Sequence, residues 1–129
     1  MTHNLRKVLG IDFGTTRIGL AIARGPLAEP LEIVANDGED RALARIKQLV
    51  ESEQIEQIIM GISENRMAQR TKEFAASLKA VIDIPIEFVD ETLSSYEMHH
   101  RLLSSKLSTK QGPIDHFVAA QLLQDWLDS

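Results

Sequence analysis

The order of apolar segments predicts an α/β protein built on a mixed five-stranded sheet: three antiparallel strands, then two parallel ones, flanked by helices. Three observations carry this expectation. Apolar runs in the first 35 residues are joined by short turn segments, as antiparallel strands are. From residue 39 onward, helical spacing alternates with short apolar runs, the usual way of connecting parallel strands. No repeat, low-complexity segment or long linker divides the 129 residues, so 1–129 is expected to be one domain.

Residues 5–13 and 17–24 read as the first two strands, joined through Gly14, Thr15 and Thr16. "PLEIVA" (30–35) reads as the third, after a connection punctuated by Gly25, Pro26 and Pro30. A helix is predicted over 39–53, where Leu43, Ile46, Leu49 and Val50 recur at helical spacing. "IEQIIMGI" (55–62) reads as a buried strand. Residues 66–81 read as a helix, with Met67, Arg70 or Thr71, Phe74, Leu78 and Val81 along one side. "IPIEFVDE" (84–91) is the last strand, with its proline near the start, where a missing N–H is tolerated. Helices follow over 94–103, opened by a capping box of Ser94 and Glu97, and over 113–128, opened by Gly112-Pro113.

The chain is 43% apolar and 26% charged, ordinary for a soluble protein. No apolar run approaches the roughly 18 residues that span a membrane. The N-terminus has no signal-peptide apolar region before Asp12. There are no cysteines, which removes disulfides and thiolate metal sites and suits a cytoplasmic location. A net charge of −5 counts against a broad basic surface for nucleic acid. It leaves open nucleic-acid chemistry at a site where cations supply the positive charge.

The stretch "VLGIDFGTTRIGLAIA" (8–23) poses the functional question, because strand interiors avoid aspartate and Asp12 ends a very apolar run. Asp12 closes the first strand, Asp90 and Glu91 close the fifth, and Asp115 opens the last helix. If strands 1 and 5 are parallel, their C-terminal ends share the sheet edge where α/β proteins gather ligands. Asp115 stands at helical spacing from Ala119, Leu122 and Trp126, a face that should turn toward the sheet. Carboxylates brought together repel unless protonated or neutralised. Hard oxygen donors suit Mg²⁺ or Mn²⁺, and two such ions about 4 Å apart can drive phosphodiester hydrolysis by water. Each carboxylate also has a plainer role open to it. Asp12 can cap a turn, Asp90 or Glu91 can be solvated, and Asp115 can favour its helix dipole. Convergence of three element ends is what favours the site.

Other candidates carry less. His99 and His100 are adjacent and point to different sides of a helix. His116 neighbours Asp115 but fits a solvated helix position, and Trp126 fits the core. Arg17, Arg24, Arg66, Arg70, Lys72, Lys106 and Lys110 are scattered. Of these and the first turn, Thr15, Thr16, Arg17, Lys106 and Lys110 are the candidate contacts to substrate.

"VLGIDFGTTRIGLAIA", "PLEIV", "IIMGI", "FVDETLSS" and "GPIDHFVAAQLLQDWLD" together resemble the YqgF family, in order and across essentially the whole chain. The resemblance implies an RNase H-like fold related to the RuvC resolvases and a metal-dependent nuclease. It implies a role in maturing the 5′ end of 16S rRNA or in resolving Holliday junctions. Its acidic site maps onto Asp12, Glu91 and Asp115, which would be both catalytic residues and ligands of Mg²⁺ or Mn²⁺, two ions in all. Glu91 takes the site position rather than Asp90 because "DETLSS" matches the family's Asp-Glu-Arg-Leu-Thr-Thr segment. Thr92 stands where the family carries arginine, and "GISENRMAQR" lacks the family's Gly-Leu-Pro and later glycine.

The partner implied is nucleic acid, as precursor rRNA in a ribosomal particle or as branched DNA, with the protein a monomer or weak homodimer. Two further readings stand beside it. "DFGTT" resembles the phosphate loop of actin-like and sugar-kinase ATPases, but those need a second domain and a second glycine-rich segment. A non-catalytic RNA-binding or ribosome-assembly module would keep the fold, and the intact acidic trio argues against it.

Overall fold

A computed structural model describes residues 6–62, 67–90 and 113–129. Glu91, Lys106, Lys110, Arg66 and the expected helix 94–103, with its capping box and histidine pair, lie outside the described residues. The described elements are β1 (Val8–Phe13), β2 (Arg17–Ala23), β3 (Ala28–Ala35), α1 (Glu39–Ser52), β4 (Gln57–Ile62), α2 (Met67–Lys79), β5 (Ile86–Asp90) and α3 (Asp115–Asp128). The strands form one sheet in the order β3-β2-β1-β4-β5. β1 pairs antiparallel with β2 and parallel with β4, and β5 is parallel to β4. The mixed sheet expected from the sequence is therefore present, with β1 at its centre.

Alternation along the strands sorts residues between two unlike faces. Leu9, Ile11, Ile18, Leu20, Ile22, Ile58 and Met60 pack under α1 and α2, joined by Ala42, Ile46, Leu49, Phe74 and Leu78. The opposite face carries glycine and alanine among its aliphatics. Val8, Ala21, Ala23 and Ile59 meet Ala119 and Leu123 of α3. Gly10 and Gly19 also lie under α3: a Cβ at Gly10 would stand 3.0 Å from Leu123 Cβ. Large aliphatics on one side and glycine and alanine on the other let α3 lie close to the sheet.

Three details differ from the sequence reading. β3 begins at Ala28 and includes Pro30, which pairs with Ala21 beside a break in register that makes Leu31 an extra residue. β3 is an edge strand, where a bulge and a missing N–H are tolerated. Val81 lies beyond the end of α2 and is exposed, while Thr71, Phe74, Ala75 and Leu78 form the buried face. Trp126 is only partly buried; it packs against the α3-side core, and its indole N–H donates to Glu87 at 3.3 Å. Its polar atom is met at the sheet's β5 end, so a fully buried position is not required. Among the described residues no helix is long and apolar enough to cross a membrane.

Candidate functional site

Parallel pairing aligns the C-terminal ends of β1, β4 and β5 on one edge of the sheet. Ile11 is level with Met60, and Met60 with Phe88. Asp12 follows Ile11 at this edge. Phe13, next along, turns to the other face and stacks on Phe74 of α2 with ring centroids 4.8 Å apart. That anchor commits Asp12, by alternation, to the face covered by α3.

Asp12 pairs directly with Gly19 of β2. Gly19 is the point where α3 touches down, for a Cβ there would collide with the backbone carbonyl of Asp115 and crowd the amide of His116. Glycine is thus required by close approach of backbone, and it sets the first residue of α3 over the cross-strand neighbour of Asp12. α3 starts without a side-chain cap; the Ile114 carbonyl accepts from the Phe117 and Val118 amides. Asp115 occupies the first turn, where a carboxylate complements the helix dipole.

Arg17, at the start of β2, shares the α3 face with Gly19. Its Nε–H donates to Asp115 Oδ2 at 2.9 Å. The arginine side chain is 46% exposed and the aspartate 18%. Asp115 Oδ1 has no hydrogen-bond partner among the described residues. Arg17, expected to be a substrate contact, is here the counter-ion of a predicted metal ligand. Sequence spacing could not show this, because the two residues are 98 positions apart.

The turn between β1 and β2 is pinned by a residue the sequence reading missed. Asn36 donates through Nδ2 to the Gly14 carbonyl and through its backbone N–H to the Thr16 carbonyl, each at 2.8 Å. The available signal was its place at the end of β3, before Asp37-Gly38. Gly14 is needed in this turn, as a Cβ would stand 2.5 Å from the Arg17 carbonyl. Thr15 and Thr16 are exposed at the turn, open to a ligand. His116 is half-buried rather than solvated: Nδ1 is buried without a hydrogen-bond partner among the described residues, and the ring stacks on Phe117 with centroids 4.4 Å apart.

Of the predicted trio, the structure brings Asp12 and Asp115 to one sheet edge. Glu91 lies outside the described residues, and among those described no three metal-ligating side chains are gathered.

The family model for RuvX, described as Holliday junction resolvase, matches residues 6–129. The chain belongs to the RuvX family. A relative from Sulfurihydrogenibium sp. (strain YO3AOP1), named "Putative pre-16S rRNA nuclease", is 36% identical over 134 residues, 96% of this chain and 91% of its own. One of the same name from Anaeromyxobacter dehalogenans (strain 2CP-C) is 34% identical over 132 residues, 95% of this chain and 96% of its own. Among solved structures, T. thermophilus RuvC in complex with Holliday junction substrate is 19% identical, with a TM-score of 0.51 over 66% of this chain and 63% of that one. Fowlpox virus resolvase with substrate Holliday junction DNA is 10% identical, with a TM-score of 0.56 over 95% and 99%. At these identities the likeness shows the fold, which is the RNase H-like one implied by the sequence.

Proposed function

We propose that this RuvX-family chain is a nuclease that hydrolyses phosphodiester bonds with divalent cations and processes the 5′ end of precursor 16S rRNA. One observation carries the cleavage chemistry. Gly19 lets the start of α3 rest on the strand partner of Asp12, so Asp12 and Asp115 stand on elements that converge at one sheet edge. Glu91 is the proposed third. It is proposed on the family resemblance of "DETLSS" alone.

The donor set fits a hard cation. It consists of carboxylate oxygens, the chemistry that Mg²⁺ and Mn²⁺ take. One oxygen of Asp115 already holds a positive group, and the other is without a protein partner among the described residues. Asp12, Glu91 and Asp115 would hold the ions, two in this reading. Bound there, they would supply the charge that activates the attacking water and stabilises the leaving oxygen. The protein's own part is placement: sheet pairing and the Phe13 anchor fix Asp12, and the first turn of α3 fixes Asp115. Water is the nucleophile in this reading, since the chain has no cysteine and its sequence offers no Ser–His pair with an orienting third group.

The names of the curated relatives favour rRNA as substrate. So does charge: at −5, a weak grip suits an enzyme positioned within a ribosomal particle in the cytoplasm, working as a monomer or weak homodimer in a single domain. The family description favours a second reading, a resolvase on four-way DNA. That activity needs a two-fold dimer to place paired nicks. Depletion followed by mapping of 16S rRNA 5′ ends tests the first reading, with extended precursors expected. Normal ends, together with symmetric nicking of a synthetic junction by a stable dimer, would establish the second instead.

A further inference from the structure

The geometry points to Arg17 as a positioning residue with two alternating partners. Its guanidinium pairs with Asp115, and a cation loaded at that carboxylate hands it over to a substrate phosphate. This rests on the cation site proposed above.

Arg17 Nε lies 2.9 Å from Asp115 Oδ2, on an oxygen a metal would need. A guanidinium keeps its charge at every working pH, so it cannot yield by losing a proton. A divalent ion arriving at Asp115 therefore meets both a competitor for Oδ2 and a fixed like charge within a few ångströms. Repulsion at that range is substantial in a half-buried setting. Two outcomes exist for the pair: the ion binds weakly, or Arg17 leaves.

The surroundings favour departure. The Arg17 side chain makes no other hydrogen bond among the described residues, where four of its five N–H donors have no partner. Its side chain is 46% exposed, and it adjoins the exposed Thr15–Thr16 turn that Asn36 pins. A released guanidinium at this edge is a planar fork suited to two phosphate oxygens. Asp115 would be held in a ready orientation by Arg17, and by α3, before loading. Metal loading and backbone grip would then be coupled through one side chain.

The test uses the full chain, with Arg17→Gln and Asp115→Asn. Mn²⁺ binding is titrated by calorimetry, and affinity for a fluorescently labelled hairpin RNA is measured with Ca²⁺ in place of Mg²⁺. Arg17→Gln is expected to bind Mn²⁺ about two- to fivefold more tightly than wild type, the worth of a partly exposed ion pair. It should bind RNA about three- to tenfold more weakly, with a shallower salt dependence from one lost phosphate contact. Unchanged cation affinity, or unchanged RNA affinity, in Arg17→Gln overturns the exchange while leaving the cation site standing. Saturable Mn²⁺ binding absent from wild type, or unaffected by Asp115→Asn, overturns the site itself and the exchange with it.

Discussion

At the scale of the residue, Gly19 decides how closely the start of α3 is seated on the sheet. A Cβ there meets backbone, the Asp115 carbonyl, which cannot rotate aside as a side chain can. Gly19→Ala should cost about 2–3 kcal/mol in urea denaturation, the upper range for overpacking. Gly10→Ala should cost about 1 kcal/mol, since its tightest contact, Leu123 Cβ at 3.0 Å, is relieved by a shift of a fraction of an ångström rather than by the larger displacement Gly19 would need. Gly19→Ala should also lose cleavage beyond its loss of stability, because α3 carries Asp115. Equal costs at the two glycines would contradict this account of how α3 is seated. "RIGLAIA" reads plainly as a strand, but its alternation does not say that a helix backbone lies on the glycine. Asp12 drew attention in the sequence because strand interiors avoid aspartate and it ends an apolar run. The Arg17–Asp115 pair was not, because contacts between distant segments leave no local pattern.

At the scale of the element, α1 is tied to edge strand β3 by one well-formed ion pair. Arg45 donates from Nε to Glu32 Oε2 at 2.7 Å and from Nη2 to Oε1 at 2.6 Å. Those hydrogen bonds, with a smaller Coulombic contribution and against partial burial, hold the Glu32 carboxyl below its ordinary value of 4.5. A lowered folded value means the pair stabilises above that ordinary value, and the contribution is lost as pH falls through the folded one. The side chains are 38% and 31% exposed, so screening limits the contribution to about 0.5–1 kcal/mol. Glu32→Gln should lower unfolding free energy by that amount at pH 7, and the difference should shrink as pH falls below 4.5, measured in parallel urea titrations. A difference that does not change with pH would assign the effect to packing. The elements themselves were legible from period and punctuation. Boundaries shifted where tertiary context outweighed a local signal: Pro30 suggested a strand start but sits inside an edge strand beside a bulge.

At the scale of the whole molecule, topology followed from connection lengths. Short turns gave the antiparallel β1–β2–β3 meander, and helical crossovers gave parallel β4 and β5. That order puts the ends of β1 and β5 on one edge, which is the ground for proposing one site for carboxylates far apart in sequence. What the pattern could not supply is how near α3 lies to the sheet, which depends on the small residues of one face. The central claim is that Asp12 and Asp115 serve one cation-dependent cleavage site. Cleavage of a precursor 16S rRNA 5′ fragment, by wild type and by Asp12→Asn and Asp115→Asn, tests it most directly. It should be run with Mg²⁺, with Mn²⁺ and with chelator, and circular dichroism should confirm that each variant is folded. The account predicts cleavage by wild type only with added cation, and a loss of at least about a hundredfold in each folded variant, equivalent to several kcal/mol of transition-state stabilisation. Wild-type cleavage in chelator, or full activity in either folded variant, would contradict it.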